Sequence, residues 1–293
     1  MQVVNFLKAN ALYMIWFILY FCIAWFVAWI IVGIVIHSFI IVALIYMTSI
    51  ILALSPIGEG LLRLMENCRP PATNEERNYL MPIFEEVYDS AKEIHPKLSN
   101  EIQLYIMDAM YVNAFAIGRK TIAVTRGAMK TFSADELKGI LAHEFGHMAH
   151  GHTKALLLSV IGNLFFSGIV WVFKLLLNLI QFLTNVVTVF NILAIFLSIT
   201  AFFVRVYVNV LIFIFETLGQ IILALNSRSN ETGADTFAFE AGYSRELISG
   251  LYTIQKISIN TGVGILERAK ASHPHIAYRI GYLEDLENAP IEE

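Results

Sequence analysis

The amino-acid sequence predicts a mostly α-helical integral membrane protein, with about four transmembrane helices in two hairpins and an α+β domain with a small sheet outside the membrane. Hydrophobic residues make up 57% of the 293 residues, and charged residues only 15%. The mean hydropathy of +0.64 is too high for an ordinary soluble domain. Apolar and polar stretches alternate, and they divide the chain into residues 1–58, 59–154, 155–225 and 226–293.

Charge and cysteine content exclude some classes of protein. The net charge of -4 gives no overall basic field, and no basic cluster is interleaved with aromatic residues. The sequence therefore offers no basis for nucleic-acid binding. Cys22 lies inside an apolar run and Cys68 in a polar one, so we expect two free thiols, as in a reducing compartment.

The first stretch, 1–58, is the predicted N-terminal hairpin. Residues 11–55 contain no Lys, Arg, Asp or Glu, and as one helix they would extend about 67 Å, twice a bilayer core of roughly 30 Å. Two spans therefore fit, with a turn near residues 33–38 and His37 at the interface. The apolar run is far longer than the core of a signal peptide, so we interpret it as a retained anchor.

The second stretch, 59–154, is interpreted as the first part of the domain outside the membrane. An amphipathic pattern predicts a helix from residue 75 to about residue 94, and the short run 102–107 predicts a strand. Residues 113–127 predict two short strands around a turn at 118–120.

The third stretch, 155–225, is apolar again and has room for two spans, or for three short ones. Polar residues from Arg205 onward recur at helical spacing on one face. We therefore expect spans near 155–177 and 184–204, followed by a helix at the membrane surface. Two charged residues lie within the apolar runs, and they could mark a polar path or lie at the interface. These residues are Lys174 and Glu216.

The fourth stretch, 226–293, contains two amphipathic segments, SRELISGLYTIQKI and PHIAYRIGYLEDLEN, which predict helices that complete the domain. Basic residues flank the predicted spans mainly on one side. By the positive-inside rule, the domain and both chain termini then face the cytoplasm in a multi-pass protein of the cell membrane. These basic residues are Lys8, Arg63, Arg69, Lys154, Arg205 and Arg228.

The strongest functional signal is the segment HEFGH. Ser133 and Glu136 form an S-x-x-E capping box, which predicts that HEFGH lies on a helix with a well-marked start. His143 and His147 are four residues apart, so their rings project from one face and can take two corners of a tetrahedral zinc site. In this pattern Glu144 takes a proton from the metal-bound water and passes it to the leaving amine.

A third ligand has to come from another part of the chain. The longer metzincin pattern requires glycine and histidine where this chain has His150 and Thr153, so that subclass is excluded. In the segment NSRSNETGAD, Glu231 and Asp235 are four residues apart. Glu231 can offer a carboxylate oxygen to the metal, while Asp235 can accept the second ring N–H of a ligand histidine, with His143 the preferred one.

Several motifs together resemble those of the HtpX-like membrane zinc metalloproteases, a family related to the CAAX prenyl endoproteases. The resemblance rests on NAFAIG, VTRG, ELKGILAHEFGH, SRSNETGAD and SHPHIAYRI, which occur in the family's order over most of residues 110–285. It implies a zincin-like catalytic domain with one Zn²⁺ per chain. It also implies that Glu231 completes the zinc site and that Asp235 lies beside it.

The resemblance implies further roles in substrate binding and catalysis. The segment Asn113, Ala114, Phe115 and Ala116 is expected to be an edge strand on which a peptide substrate aligns by backbone pairing. His273, which precedes a proline, is expected to stabilise the tetrahedral oxyanion.

Arg228 and Arg279 match basic positions of the family, where we expect contact with substrate. Gly233 departs from the family's pattern, because a larger residue is usual there. His150 and His152 are expected to be solvated or membrane-surface neighbours that point away from the ligand face.

These features predict a zinc-dependent integral membrane endopeptidase that hydrolyses peptide bonds of membrane or misfolded proteins in quality control. Its expected partners are peptide or membrane-protein substrates and the lipid bilayer, with the oligomeric state left open. The ligands on either side of the second hairpin must meet on one side of the bilayer, so that stretch must cross an even number of times. Two alternatives stay open: a CAAX-type prenyl-protein processing protease, and a catalytically silent membrane scaffold that binds zinc for structure.

Overall fold

A computed structural model describes residues 11–160, 164–188, 192–258 and 276–289. As predicted, the described residues are mostly helical, and they include one small sheet. Both cysteines are free thiols, also as predicted.

The N-terminal hairpin consists of two helices, α1 (Ala11–Val32) and α2 (Val35–Leu54). They are joined at Gly33, whose φ of +74° lies in the left-handed region that glycine adopts without a steric penalty. Aromatic side chains pack between the helices, with the rings of Phe21 and Tyr46 in edge contact at 5.2 Å between centroids. The turn therefore lies where the sequence predicted it.

Two helices connect this hairpin to the sheet: α3 (Pro56–Met65) and α4 (Asn74–Ile94). The Ser55 hydroxyl caps α3 by accepting hydrogen bonds from two backbone N–H groups of its first turn. Thr73 and Glu76 form a capping box at the start of α4. The predicted amphipathic helix is thus confirmed to within one residue at its start.

Four strands form the sheet, in the order β1-β2-β4-β3. The β3–β4 pair is antiparallel, as is β1–β2, whereas β2 and β4 run parallel. Strand β4 is buried along its whole length, and β3 lies at the outer edge of the described sheet. The strands are β1 (Cys68–Arg69), β2 (Gln103–Met107), β3 (Ala114–Ile117) and β4 (Thr121–Thr125), and the short helix α5 (Arg126–Thr131) follows.

The HEFGH segment lies on α6 (Ala134–His150), as predicted. Both hydrogen bonds of the predicted capping box are present, from Glu136 N–H to the Ser133 hydroxyl and from Ser133 N–H to the Glu136 carboxylate. The helix ends at Gly151, which has a φ of +77°, and the chain then turns into α7 (His152–Val160).

The second apolar stretch forms α8 (Leu164–Thr188) and α9 (Ile192–Glu240). We expected a span that ends near residue 204 and a separate surface helix, but α9 continues as one helix of 49 residues. Gln181 of α8 and Arg205 of α9 line one cavity of about 500 Å³ between the two helices, and the Gln181 amide donates to the Ser198 hydroxyl at 3.1 Å. At Arg205, the first of the polar positions, α9 therefore faces α8 within the hairpin.

The last two helices, α10 (Ser244–Ser258) and α11 (Ile276–Asn288), confirm the two amphipathic segments of the tail. Helix α10 packs on α6, and α11 packs on both α10 and α9. Together with α4 and the sheet they enclose the main hydrophobic core, in which Leu80, Phe145 and Leu247 are completely buried.

Two helical segments among the described residues are long and apolar enough to cross a membrane, Val35–Ala53 and Ile195–Gly219. Their mean hydropathies are 2.4 and 2.1. Shorter apolar segments, Met14–Phe26 and Lys174–Leu183, lie in the partner helix of each hairpin. Two membrane-crossing candidates are therefore present, and a total of four spans stays a prediction.

Helices α6 and α9 approach each other closely at a glycine. A Cβ atom on Gly146 would lie 2.8 Å from the Cα atom of Ala234 and 3.0 Å from the Cβ atom of Phe237. A side chain at this position would therefore push the helices apart. The absence of a side chain at Gly146 allows the two predicted ligand segments to face each other.

Candidate metal centre

The two predicted histidine ligands lie one turn apart on α6. Their Nε2 atoms are 3.2 Å apart, and the two rings are perpendicular. His143 is buried and His147 is half-buried. The four-residue spacing thus brings both ring nitrogens to one point, as it does on any helix.

Glu231 of α9 brings a carboxylate to the same point. Its Oε2 atom is 3.4 Å from Nε2 of His143, and its Oε1 atom is 3.3 Å from Nε2 of His147. One ligand atom from each of the three residues lies within 4.8 Å of the others. Two imidazoles and one carboxylate form a ligand set that suits Zn²⁺ and leaves a fourth coordination position open. The structure therefore brings the three predicted ligands together.

Asp235 lies one turn after Glu231 and contacts the other ring nitrogen of His143. Its Oδ1 atom is 2.9 Å from Nδ1 of His143, so the ring N–H donates to the carboxylate and Nε2 points to Glu231. Burial raises the pKa of Asp235, but the hydrogen bonds from His143 and Arg279 hold it below its ordinary value. Burial and Arg279 lower the pKa of His143, yet the two carboxylates outweigh them and raise it to about 9.

Arg279 is buried against the same carboxylates. Its Nε and Nη2 atoms donate to the two oxygens of Asp235 at 2.9 and 2.6 Å, and its Nη1 atom lies 3.2 Å from Oε2 of Glu231. The family resemblance led us to expect a substrate contact here. The geometry instead supports a positioning role, because the bidentate guanidinium fixes both acids around the ligand histidine.

Glu144 follows His143 on α6 and is buried. It does not belong to the ligand cluster, so its carboxylate is available for proton transfer. Its charge also acts on Arg279: burial lowers the pKa of that guanidinium, while Asp235, Glu231 and Glu144 raise it. The predicted base therefore lies within the electrostatic field of the site.

His152 contradicts the expectation that it points away from the ligands. Its Nδ1 atom is 3.0 Å from Nδ1 of His147, on the side of that ring opposite Glu231. Helical spacing does not apply to His152 because Gly151 ends α6 and reverses the chain. Burial, followed by the charges of the neighbouring histidines, lowers the pKa of His152 to about 3, so its ring is neutral. His150 is exposed, as expected.

The segment Asn113 to Ala116 lies at the outer edge of the sheet. Ala114 and Ala116 are buried, whereas Asn113 is exposed and Phe115 is half-buried. Strand β3 pairs with β4 on one side and packs near α6, and its other backbone edge has no strand partner among the described residues. This is the position that pairing with an extended peptide would require.

Two predicted site residues cannot be placed against the centre. His273 lies outside the described residues, and of Arg228 the structure describes only the backbone in α9. Gly233, the departure from the family pattern, lies within α9, and a Cβ atom there would be 3.7 Å from the His150 ring. That position has room for a side chain.

The fold and the site define a class of protein, the HExxH metallopeptidases, because two histidines one turn apart meet a distant glutamate beside an acidic neighbour. Comparison with known families identifies the particular family within this class. Peptidase family M48 matches residues 74–287, well over half of the chain. The protein therefore belongs to peptidase family M48.

Individual relatives agree with the predicted HtpX-like resemblance, which is thereby confirmed. A protein named Protease HtpX homolog from Desulfotalea psychrophila is 28% identical over 203 residues, which cover 63% of this chain and 67% of that protein. Protease HtpX from Pseudomonas fluorescens is 41% identical over 73 residues, 22% of this chain and 25% of that protein. The crystal structure of S. mikatae Ste24p matches with a TM-score of 0.45 and 21% identity, over 84% of this chain and 56% of that chain.

Proposed function

We propose that this protein is a zinc-dependent integral membrane endopeptidase that hydrolyses peptide bonds of membrane or misfolded proteins at the cytoplasmic face of the cell membrane. The observation that carries the proposal is the convergence of His143, His147 and Glu231 on one point. Glu144 lies on the same helix and outside that ligand set. Membership of a metallopeptidase family supports the same reaction.

The residues of the centre fit a zinc ion, and each has a separate role around it. When bound by the two histidines and Glu231, Zn²⁺ supplies a Lewis acid that polarises the scissile carbonyl and acidifies the attacking water. Glu144 takes the proton from that water and delivers it to the leaving nitrogen. Asp235 keeps the Nδ1 proton on His143, so that Nε2 presents its lone pair to the centre.

The sheet supplies a means of orienting the substrate. An extended peptide that pairs with the outer edge of β3 lies alongside α6, which packs against β3 and carries the ligand histidines. Backbone pairing tolerates many side chains, which suits an enzyme that degrades misfolded proteins of varied sequence. The protein would then select extended, accessible segments over particular residues.

Helix α9 supports the placement of the site near the membrane. It contains both the candidate span Ile195–Gly219 and the ligand Glu231 in one continuous helix. Glu231 follows the end of that span by twelve residues, about 18 Å of helix. The basic residues that flank the apolar stretches favour the cytoplasmic side for the site and for both termini, with four spans in all.

Replacement of Glu144 by glutamine tests the mechanism. The Glu144→Gln variant keeps the ligand set, so it should retain about one zinc per chain, yet its cleavage of casein should fall by roughly 10²- to 10⁴-fold because the base is lost. Glu85→Gln, on the exposed surface of α4, is the matched control and should behave like the unaltered protein. Full activity of Glu144→Gln would refute this mechanism. Zinc retention together with insensitivity of the unaltered protein to a hydroxamate inhibitor would favour a structural zinc site.

A further inference from the structure

Helix α3, which connects the candidate membrane span to the sheet, presents an apolar face to the outside. The side chains of Ile57, Leu64 and Met65 are 68%, 75% and 52% exposed. Positions 57, 64 and 65 share one side of a helix, and the half-buried Leu61 lies between them on that side. Large apolar side chains on one face of a short amphipathic helix indicate contact with another apolar surface or with lipid.

The position of α3 at the end of the membrane hairpin identifies lipid as the occupant of this face. The Ser55 hydroxyl donates to the carbonyl oxygen of Leu52 at 2.7 Å and accepts two N–H groups of α3. A Cβ atom on Gly58 would lie 2.4 Å from the same carbonyl oxygen, so the two helices touch at the backbone. Helix α3 is therefore held in a fixed orientation where the candidate span Val35–Ala53 ends, at the depth of the headgroups.

The opposite face of α3 holds the turn between β3 and β4. Glu59 is buried, and its carboxylate accepts hydrogen bonds from the backbone N–H groups of Arg119 and Lys120 at 3.1 and 3.0 Å. It also accepts one from the Thr121 hydroxyl at 2.7 Å. A buried carboxylate with three donors from one turn attaches that turn firmly to the helix.

The same turn is also attached to the segment that follows the HEFGH helix. The Thr153 hydroxyl of α7 donates to the carbonyl oxygen of Gly118 at 2.5 Å. Gly118 has a φ of +61°, and a Cβ atom there would lie 2.4 Å from Oε2 of Glu59, so only glycine fits. The end of β3 is thus fixed between α3, on the membrane side, and α7, on the side of the metal centre.

Basic side chains near this junction match an anionic bilayer surface. Arg119 is exposed in the β3–β4 turn, and Lys154 is half-buried in α7, which is attached to that turn. Burial lowers the pKa of Lys154, and the charge of Arg119 lowers it further. Within the described ranges, neither forms an ion pair with an acidic side chain. Arg63 of α3 faces the sheet instead, because its Nη1 atom donates to the Thr121 hydroxyl at 3.0 Å and its guanidinium lies 4.9 Å from the centre of the Tyr105 ring. Clustered cations beside an apolar helix face are typical of binding to anionic headgroups.

We propose that α3 is an interfacial helix whose outer face (Ile57, Leu64 and Met65) lies in the headgroup region of an anionic bilayer, and whose inner residue Glu59 holds the β3–β4 turn at a fixed height above it. Glu59 is then a positioning residue for the strand on which substrate aligns. That second part rests on the proposed function, whereas the lipid contact does not depend on the metal centre.

Depth measurements on single cysteines test the lipid contact. The full chain, with Cys22 and Cys68 replaced by serine, receives one spin label at residue 64, 44 or 89 and is reconstituted in phosphatidylcholine vesicles with phosphatidylglycerol. Power saturation with oxygen and with a water-soluble nickel complex then reports the depth of each label. Leu44→Cys, exposed in the middle of the candidate span of α2, should report the hydrocarbon core, and Asp89→Cys, exposed on α4, should report water.

Leu64→Cys should report the headgroup region, with more oxygen and less nickel contact than residue 89. A label at residue 64 that matches residue 89 would overturn the proposal, provided residue 44 lies in lipid. Contact that appears only at high protein-to-lipid ratio would also overturn it, because a second copy would then cover the face. A label at residue 44 that reports water would show that α2 does not span the bilayer and would overturn the lipid contact, while zinc binding and casein cleavage would still test the proposed enzyme.

Kinetics test the positioning role of Glu59. In the near-isosteric Glu59→Gln variant, an amide NH2 group replaces one of the carboxylate oxygens that accept hydrogen bonds from the turn. This amide group then faces a backbone N–H, and two donors cannot pair. We expect KM for casein to rise about tenfold, with a smaller change in kcat and an unchanged zinc content, because substrate alignment is altered and the chemistry is not. Unchanged kinetics would show that Glu59 is structural only. A parallel loss of zinc would show that the turn acts on the metal centre.

Discussion

At the scale of single residues, each of the three candidate ligands has a polar partner beside it. Such partners hold a ligand in one orientation and fix which ring nitrogen carries the proton. They are carried by three different helices, α7, α9 and α11, so the site is an assembly of the whole domain. The pairs are His143 with Asp235, Glu231 with Arg279, and His147 with His152.

The His147–His152 pair gives a prediction about metal affinity. If Nε2 of His147 binds zinc, its Nδ1–H has to donate to His152, so His152→Phe should weaken zinc binding about 10- to 100-fold. Competition with a chromophoric chelator measures this directly. His150→Phe is the matched control, because that exposed ring bonds to the Gly146 carbonyl, and phenylalanine can keep its stacking on His152. His152→Asn restores an acceptor and should recover part of the affinity; equal affinities for both Phe variants would contradict the role.

Residue spacing could predict part of this site. The positions of His143 and His147 follow from helix geometry, and so does the one-turn step from Glu231 to Asp235. The pairing of Arg279 with Asp235 could not be predicted in this way, because it depends on how α11 packs against α9. The His152 contact depends on the reversal of the chain at Gly151. This glycine, four residues after His147, was the feature of the sequence that could have predicted the reversal.

At the scale of secondary-structure elements, the close contact between α6 and α9 sets the distance between the two histidines and Glu231. Gly146→Ala should force the helices apart, because the added Cβ atom meets the backbone of α9 and cannot be avoided by a rotamer change. We expect zinc content and thermal stability both to fall. Gly233→Ala on α9 is the matched control, since the nearest atom to its Cβ is 3.7 Å away and alanine favours a helix by about 1 kcal/mol. The interpretation would be wrong if the two variants behaved alike.

A second element-level feature is an ionic cluster that joins β1, α4 and α5. Hydrogen bonds from Arg69 and Arg126 outweigh burial and lower the pKa of Asp108 to about 2. The hydrogen bond from Arg69 also lowers the pKa of Glu76, and this effect outweighs burial, which raises it. Both folded values lie below those of the unfolded chain, so the cluster stabilises the protein above about pH 4 and this stabilisation is lost as the pH falls toward 2.

The midpoint temperature of thermal unfolding of the detergent-solubilised chain should therefore fall as the pH is lowered from 7 to 3. Arg69→Ala should lower the midpoint at pH 7 and flatten its acid dependence, because the pKa values of the folded carboxylates move back toward the ordinary range when Arg126 is the only guanidinium that still donates to them. Lys97→Ala, at an exposed position, should leave both unchanged. A parallel acid dependence in Arg69→Ala and the unaltered protein would show that other groups govern it.

Element prediction succeeded where the chemistry is local. The capping box of Ser133 and Glu136, the β3–β4 hairpin and the amphipathic helices follow from short patterns that the structure reproduces. The boundary between α8 and α9 was misplaced because length and hydropathy cannot locate a turn inside a continuous apolar stretch. The polar residues from Arg205 onward suggested a surface helix, but α9 is one continuous helix, and Arg205 lines a cavity between α8 and α9.

At the scale of the whole molecule, the candidate metal centre joins two polar segments that the apolar helices α8 and α9 separate in sequence. His147 precedes α8 and Glu231 follows the candidate span of α9, yet their ligand atoms are 3.3 Å apart. The proposed membrane topology therefore has to place both segments on one side of the bilayer, which requires an even number of crossings between them. The proposed metal site and the proposed topology thus depend on each other.

Impermeant maleimide labelling of intact cells tests this topology in the background without Cys22 and Cys68. Ile36→Cys and Val186→Cys lie at the far ends of the two hairpins and are exposed, so both should be labelled from outside. Asp89→Cys and Asn288→Cys should react only after the cells are permeabilised. Labelling of residue 288 in intact cells, without labelling of residue 89, would mean an odd number of crossings. The zinc ligands could then not meet, and the proposed centre would fail together with the topology.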